Sequence, residues 1–137
     1  MIVTLFYLSK QIRSNTTQAR RADRDETMRH ASASRMALAL NSELADIVIR
    51  GSETVDCLSP VERLQFESFI NDRYWTAAQL WDRARSGSLG ARGWQPSFLP
   101  PLLLTKGALQ CWDASKVQFT PDFVAEVEAI RSARSDA

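Results

Sequence analysis

The sequence predicts an all-α protein: a small irregular helical bundle of about four to six helices with a long amino-terminal stalk helix. Apolar residues recur at helical spacing in several segments, and two long stretches, 16–40 and 61–86, contain neither Gly nor Pro. No segment shows the alternation of apolar and polar residues that is typical of a strand. At 137 residues the chain is long enough for one domain with its own core.

The longest uninterrupted helix is predicted over residues 59–85, and its start is clearly marked. Ser59 is the predicted N-cap, Pro60 takes the first helical position and Glu62 the third, which together form a capping box. Apolar residues occupy one broad face of this helix. A second, narrower apolar stripe lies nearly opposite and contains Leu64 and Trp75. A helix that is apolar on two sides is expected to have neighbours on both.

Arg73 falls in the middle of the broad apolar face of this helix. An unpaired buried guanidinium would be costly, so we expect either an ion pair with a carboxylate of another helix or a packed stem whose charged end reaches water. A binding site for a substrate anion is the functional alternative.

The segment before the central helix is predicted to contain two helices. Residues 16–40 form a long helix whose polar first half stands free of the core as a stalk. Asn41 and Ser42 predict a turn and a cap, followed by a short helix over 43–50 that ends at Gly51.

The segment after the central helix begins with SGSLGARG, residues 86–93, which predicts a hinge. A Pro-rich irregular loop then leads into a helix from about residue 101 to residue 112. Thr120 caps a last helix, in which Glu126 and Glu128 belong to the solvated side.

Composition and charge exclude several classes of protein. A net charge of +1 and 24% charged residues argue against a disordered tail or a protein that coats nucleic acid. The basic run Arg20, Arg21, Arg24 is interrupted in the sequence by acidic residues, which argues against a nucleic-acid patch. Cys57 and Cys111 belong to no metal-binding spacing, so we predict no metal and no cofactor. We predict that both thiols are reduced, with a single disulfide between them as the alternative.

The amino terminus combines apolar residues with unopposed positive charge. Residues 1–8 are apolar except for Thr4, and this run is too short to cross a bilayer, which takes about 20 residues in a helix. The aromatic pair Phe6 and Tyr7 is followed by four basic and no acidic residues through Arg21, as at the cytoplasmic end of a membrane helix. We therefore predict a membrane-anchor end over 1–9 and a helical domain over 10–137.

The predicted membrane-interface residues are Phe6, Tyr7, Lys10 and Arg13. The alternative is an ordinary amino-terminal helix that packs inward, with a buried side made of Ile2, Leu5, Phe6 and Ile12.

Residues 7–16, YLSKQIRSNT, resemble the membrane exit of a group of short, uncharacterised bacterial proteins with a single span and a helical body. Shorter similarities lie at 49–51, 58–66, 107–112 and 119–123. The resemblance implies that the apolar run is the end of a transmembrane helix in the bacterial inner membrane, with the body on the cytoplasmic side. The segment 87–106 departs from the group in being richer in Gly and Pro. No functional residue is carried over from this group.

His30 is the single histidine. Arg24 precedes it at a spacing similar to the Arg and His motif of helical HEPN-type ribonucleases, where the guanidinium holds a phosphate and the imidazole moves a proton. The alternative is a partly exposed helix residue beside Glu26. Glu26 lies too far from His30 for the Glu-x-x-His pattern of di-metal bundles, so that class is excluded.

The sequence thus predicts a membrane-associated, non-enzymatic helical protein that acts by protein contacts or as a scaffold. Its expected partners are a membrane surface and an unidentified protein, without nucleic acid, and homo-oligomerisation and a soluble cytoplasmic location are left open. One alternative is a ribonuclease that uses Arg24 and His30. Another is a bundle that binds a small apolar ligand near its tryptophans, Trp75, Trp81 and Trp94.

Overall fold

The computed structural model describes residues 2–87 and 93–136, without the side chain of Ser97. It confirms the all-α prediction: these residues form five α-helices and short 3-10 turns, with no strand among them. The α-helices are α1 (Ile2–Leu40), α2 (Ser42–Glu53), α3 (Pro60–Arg85), α4 (Lys106–Ser115) and α5 (Pro121–Ser135). The 3-10 turns are Val55–Cys57, Pro96–Phe98, Pro101–Leu104 and Lys116–Gln118. Residues 88–92 of the predicted hinge, and Met1 of the predicted anchor, lie outside the described residues.

Helix α1 is a single rod of 39 residues, about 58 Å long. Every residue from 2 to 26 is exposed, and burial begins at Thr27 and Ala31. The predicted stalk is therefore confirmed. The alternative, an inward-packing amino terminus, does not hold, because the residues assigned to its buried side are at least 65% exposed: Ile2, Leu5, Phe6 and Ile12.

The core lies among α2, α3, α4 and α5, and its largest fully buried side chains are Phe66, Tyr74, Trp112 and Phe123. The buried polar ends of these rings have partners. The Tyr74 hydroxyl donates to the carbonyl oxygen of Leu103 at 2.6 Å, and Trp112 Nε1 donates to Glu128 Oε1 at 2.8 Å. Since an unpaired polar group in a core is costly, these bonds allow large amphipathic side chains to fill the interior.

The helix starts follow the local signals. Ser59 Oγ accepts from the N–H of Glu62 at 3.3 Å, and Glu62 Oε2 accepts from the N–H of Ser59 at 2.9 Å, so the predicted capping box is present. Asn41 caps α2 by accepting from the N–H of Leu44 at 3.1 Å. Each bond spans three residues, which is why the sequence alone locates these starts.

The end of α2 differs from the prediction. The helix continues through Gly51 to Glu53, so this glycine does not terminate it. A Cβ atom at Gly51 would lie 2.5 Å from the Phe66 ring, and a Cβ at Gly107 would lie 1.6 Å from the Gly51 carbonyl oxygen. The two glycines allow α2 and α4 to cross with their backbones almost in contact.

The carboxyl-terminal half also departs from the prediction in two places. The expected helix over 101–112 is a 3-10 turn followed by α4, because Thr105 adopts an extended conformation between them. Glu126 and Glu128 are half-buried and not solvated as predicted, since each accepts a hydrogen bond from an indole: Trp94 Nε1 at 2.9 Å for Glu126, and Trp112 Nε1 for Glu128.

The second apolar stripe of α3 is left largely uncovered by the described chain. Leu64 is 65% exposed and Trp75 is 45% exposed. Trp75 contacts the ring of Phe119 at a centroid distance of 4.7 Å. The expectation of a helical neighbour on both sides of α3 is thus met on the broad face and not along this stripe.

Candidate membrane interface

The apolar tip, residues 2–8, is the amino-terminal part of α1 as described. Six large apolar side chains lie here at exposures of 48% to 83%: Ile2, Val3, Leu5, Phe6, Tyr7 and Leu8. Large apolar surface on the outside of a protein marks a site of interaction with a partner or a membrane. In the described part of the chain, none of the helices contains the apolar run that a transmembrane span requires.

The residues predicted at the membrane interface are all exposed on α1. At about 100° per residue, Phe6, Lys10 and Arg13 lie within about 60° of one another around the helix, and Tyr7 lies about 100° from Phe6. The helix thus brings one aromatic ring and two cations to one side. An aromatic ring followed along the helix by positive charges is typical of the membrane interface, where the ring lies at the edge of the acyl chains and the cations lie among the headgroups.

Charge is distributed unequally between α1 and the remainder of the chain. Helix α1 carries seven basic and three acidic residues, a net charge of +4. The remaining residues carry ten basic and thirteen acidic residues, a net charge of −3. The net charge of the whole chain is therefore close to zero although α1 is cationic and the remainder of the chain is anionic.

The carboxyl-terminal half of α1 docks on α3 through polar side chains. His30 Nε2 lies 2.6 Å from Asp72 Oδ1, and the Ser34 hydroxyl donates to Asp72 Oδ2 at 2.8 Å. Nearer the tip, Arg83 Nη2 donates to Asp23 Oδ2 at 2.7 Å and to Thr27 Oγ1 at 2.6 Å. These bonds hold the stalk to the body in one register.

Sequence reasoning missed Asp72 and Arg83 as the body's side of this contact. The Arg83 side chain is only 12% exposed, although its partner Asp23 is 70% exposed. No signal in the sequence of α3 distinguishes these two charged residues from the other charged residues of that helix. Their partners lie between 38 and 60 residues away in the sequence and become neighbours only when α1 folds back.

Arg73, the arginine on the broad apolar face of α3, lies half-buried against α1. Its Nη1 donates to the Ala31 carbonyl oxygen at 3.5 Å, and among the described residues it forms no ion pair with a carboxylate. Burial lowers the pKa of Arg73, and the neighbouring positive charge of Arg35 adds to this lowering. Of the two arrangements predicted for Arg73, the ion pair is not formed among the described residues, and the half-buried side chain contacts the backbone of α1.

The two residues of the ribonuclease hypothesis are not brought together within one chain. Arg24 and His30 lie on one continuous helix, about 120° apart around its axis. His30 lines a cavity of about 420 Å³ in which three carboxylates, Asp23, Glu26 and Asp82, accompany a single arginine, Arg83. This excess of negative charge is unfavourable for a phosphate, and Arg24 does not line the cavity.

The tryptophans named for an apolar ligand are used in packing. Trp81 and Trp94 meet edge to face at a centroid distance of 5.4 Å, whereas Trp75 packs against Phe119 in a separate contact. Cys57 and Cys111 are not joined to each other; Cys57 is exposed and Cys111 is buried.

Comparison of the chain with models of known families, with curated proteins and with solved structures found no match. The resemblance to single-span bacterial proteins stays a prediction, and function has to be inferred from the residues and their geometry.

Proposed function

We propose that this is a membrane-associated, non-enzymatic helical protein whose apolar tip enters a membrane surface and whose body acts through protein contacts, as a scaffold. In bacteria the membrane is the inner membrane, with the body on its cytoplasmic side. The observation that carries the proposal is the exposure of the tip at the end of a helix that stands clear of the body.

The energetics of the tip favour burial in lipid. Moving a large apolar side chain from water to an apolar phase gains about 1.5–3 kcal/mol. Ile2, Val3 and Phe6 are each at least 77% exposed, so nearly all of this gain is still unrealised in the isolated chain. Lys10 and Arg13 follow directly along the helix, and each cation beside an anionic leaflet adds about 1 kcal/mol.

The body carries a surface suited to a protein partner. Val61, Leu64 and Trp75 lie within about 60° of one another around α3, and their exposures are 69%, 65% and 45%. An apolar stripe with an aromatic residue at one end is the composition found at the centre of protein interfaces. Membrane attachment through α1 leaves this stripe free, since it lies on a different helix.

Flotation of the full chain with phospholipid vesicles tests the proposal. The wild type is expected to float with the vesicles, and Leu5→Ser/Phe6→Ser to remain in the dense fraction. The matched control is Val61→Ser/Val117→Ser, which removes two apolar residues of the body that are 69% and 86% exposed. The control should float like the wild type. Wild-type protein that stays wholly soluble at low salt, or a tip variant that floats unchanged, would contradict the proposal.

A further inference from the structure

Six cations of α1 share one side of the helix. At about 100° per residue they fall within an arc of about 100°, and at 1.5 Å per residue they extend over about 38 Å. We call this set the cationic face: Lys10, Arg13, Arg20, Arg21, Arg24 and Arg35.

The acidic residues that interrupt this run in the sequence do not interrupt it in space. Asp23 projects about 60° beyond Arg20 and is bound to Arg83 of the body. Asp25 projects about 40° beyond Arg21 on the other side, and Glu26 points nearly opposite to the face. In the folded helix Arg20, Arg21 and Arg24 therefore lie on one side with no acidic residue between them.

The cations of this face are uncompensated. Within the described residues, no side chain of the cationic face makes a hydrogen bond or an ion pair. Several body cations, in contrast, are paired with carboxylates at 2.7–2.9 Å: Arg50 with Glu62, Arg63 with Glu67 and Arg131 with Asp113. The face is thus a long positive surface whose cations are unpaired within the described chain, with Asp25 beside one edge.

We propose that the cationic face binds the headgroups of anionic phospholipids, an inference that rests on the proposed membrane association. The face is continuous with the apolar tip, because Ile2, Val3 and Phe6 project into the same arc. Side chains that enter the acyl region and side chains that meet the headgroups are therefore on one side of one rod. Nucleic acid fits less well, since no aromatic residue lies between the cations to stack on bases.

The length of the face also specifies how α1 meets the bilayer. Arg20 lies about 18 Å along the helix from Leu8. If α1 entered the bilayer perpendicular to its surface, Arg20 would lie about this far from the headgroups. The distance exceeds the Debye length of about 8 Å at physiological ionic strength, so the attraction between Arg20 and the headgroups would be screened. The cations from Lys10 to Arg24 all reach the headgroups only when α1 approaches the surface at a shallow angle, with the tip inserted and residues 10–24 along the headgroups. Beyond them Ala31, which projects into the same arc, is buried against the body.

The experiment compares binding of the full chain to neutral phosphatidylcholine vesicles and to vesicles that also contain phosphatidylglycerol. The test variant is Arg20→Gln/Arg21→Gln/Arg24→Gln. The matched control is Arg29→Gln/Lys106→Gln/Arg134→Gln, which removes three exposed cations that lie off the face and have no ion pair within the described residues. Both variants change the net charge of the chain equally.

The wild type is expected to bind the anionic vesicles at least about tenfold tighter than the neutral ones. The test variant should lose about tenfold or more on anionic vesicles and little on neutral ones, and the control should keep the preference. If the wild type binds both kinds of vesicle equally, or if the control loses as much affinity for anionic vesicles as the test variant, the cationic face does not bind anionic headgroups. Either result leaves the proposed membrane association intact. Binding to neither overturns the proposed function as well. Tighter binding to a single-stranded RNA oligonucleotide, lost in the test variant, overturns the lipid assignment.

Discussion

Asp72 holds two positions of α1 with one carboxylate: its Oδ1 lies 2.6 Å from His30 Nε2, and its Oδ2 accepts from Ser34 at 2.8 Å. His30 and Ser34 are one helical turn apart, so the carboxylate fixes both the rotation and the register of α1 on α3. Arg83 provides a second attachment by binding Asp23 and Thr27. The direction in which the stalk leaves the body is therefore set by polar contacts.

Asp72→Ala should loosen α1 from the body. The variant loses two hydrogen bonds at a site that is about one-third exposed, so its free energy of unfolding should fall by about 1 kcal/mol. Amide hydrogen exchange in residues 27–38 should rise, while exchange in α4 should change little. Asp25→Ala is the control, because Asp25 is exposed and has no ion pair among the described residues. Unchanged exchange in Asp72→Ala would show that the apolar contacts of α1 suffice to dock it.

Gly107→Ala should destabilise the fold strongly. The new methyl group would lie 1.6 Å from the Gly51 carbonyl oxygen, which is backbone and cannot rotate away, so α2 and α4 must separate. Overpacking of this kind costs about 1–3 kcal/mol or more. Urea unfolding followed by circular dichroism measures the loss. Ser132→Ala, at an exposed position of α5, should change the midpoint little. A stable Gly107→Ala variant would mean that the two helices do not cross this closely.

Glu62 should make the fold sensitive to acid. Hydrogen bonds from the Arg50 guanidinium and then from the Ser59 backbone N–H lower the pKa of this carboxyl from 4.5 to about 2. A carboxyl with a depressed pKa stabilises the fold above its unfolded pKa, and this contribution is lost as the pH falls from about 4.5 towards 2. Urea midpoints of the wild type should therefore fall more steeply across this window than those of Glu62→Gln.

The control for the acid experiment is Glu43→Gln, which removes an exposed carboxylate that forms no ion pair within the described residues. Its midpoints should follow those of the wild type through the same window. If Glu62→Gln also follows the wild type, the bridge to Arg50 and the capping box contribute nothing to stability at neutral pH.

The two thiols should differ in reactivity. Cys57 is exposed, whereas burial raises the pKa of Cys111 to about 11, and the thiolate is the reactive form. At pH 8 a disulfide reagent such as dithionitrobenzoate should modify one thiol quickly and the second only after the chain is unfolded. In Cys57→Ser the fast phase should disappear. A fast phase that persists in this variant would place Cys111 at the surface.

The candidate interface was predictable in part. Phe6, Tyr7, Lys10 and Arg13 follow one another in the sequence, and their pattern of aromatic and basic residues needs no distant partner to be recognised. Arg20 and Arg24 belong to the same face, but acidic residues separate them from a continuous run in the sequence. Only the helical geometry shows that these acidic residues project outside the face, and only the tertiary structure shows that Asp23 is paired with Arg83.

The sequence by itself determined that the chain is helical, where α2 and α3 begin, and that one end of α1 is apolar. These features depend on hydrophobic periodicity and on hydrogen bonds between residues three positions apart, so residues close together in the sequence are enough to predict them. The tertiary structure decided that the tip remains exposed, that Gly51 is a helix-crossing point, and that Asp72 and Arg83 hold the stalk. Those outcomes depend on which distant segments become neighbours. Contacts between residues far apart in the chain cannot be predicted from the spacing of residue types within one segment.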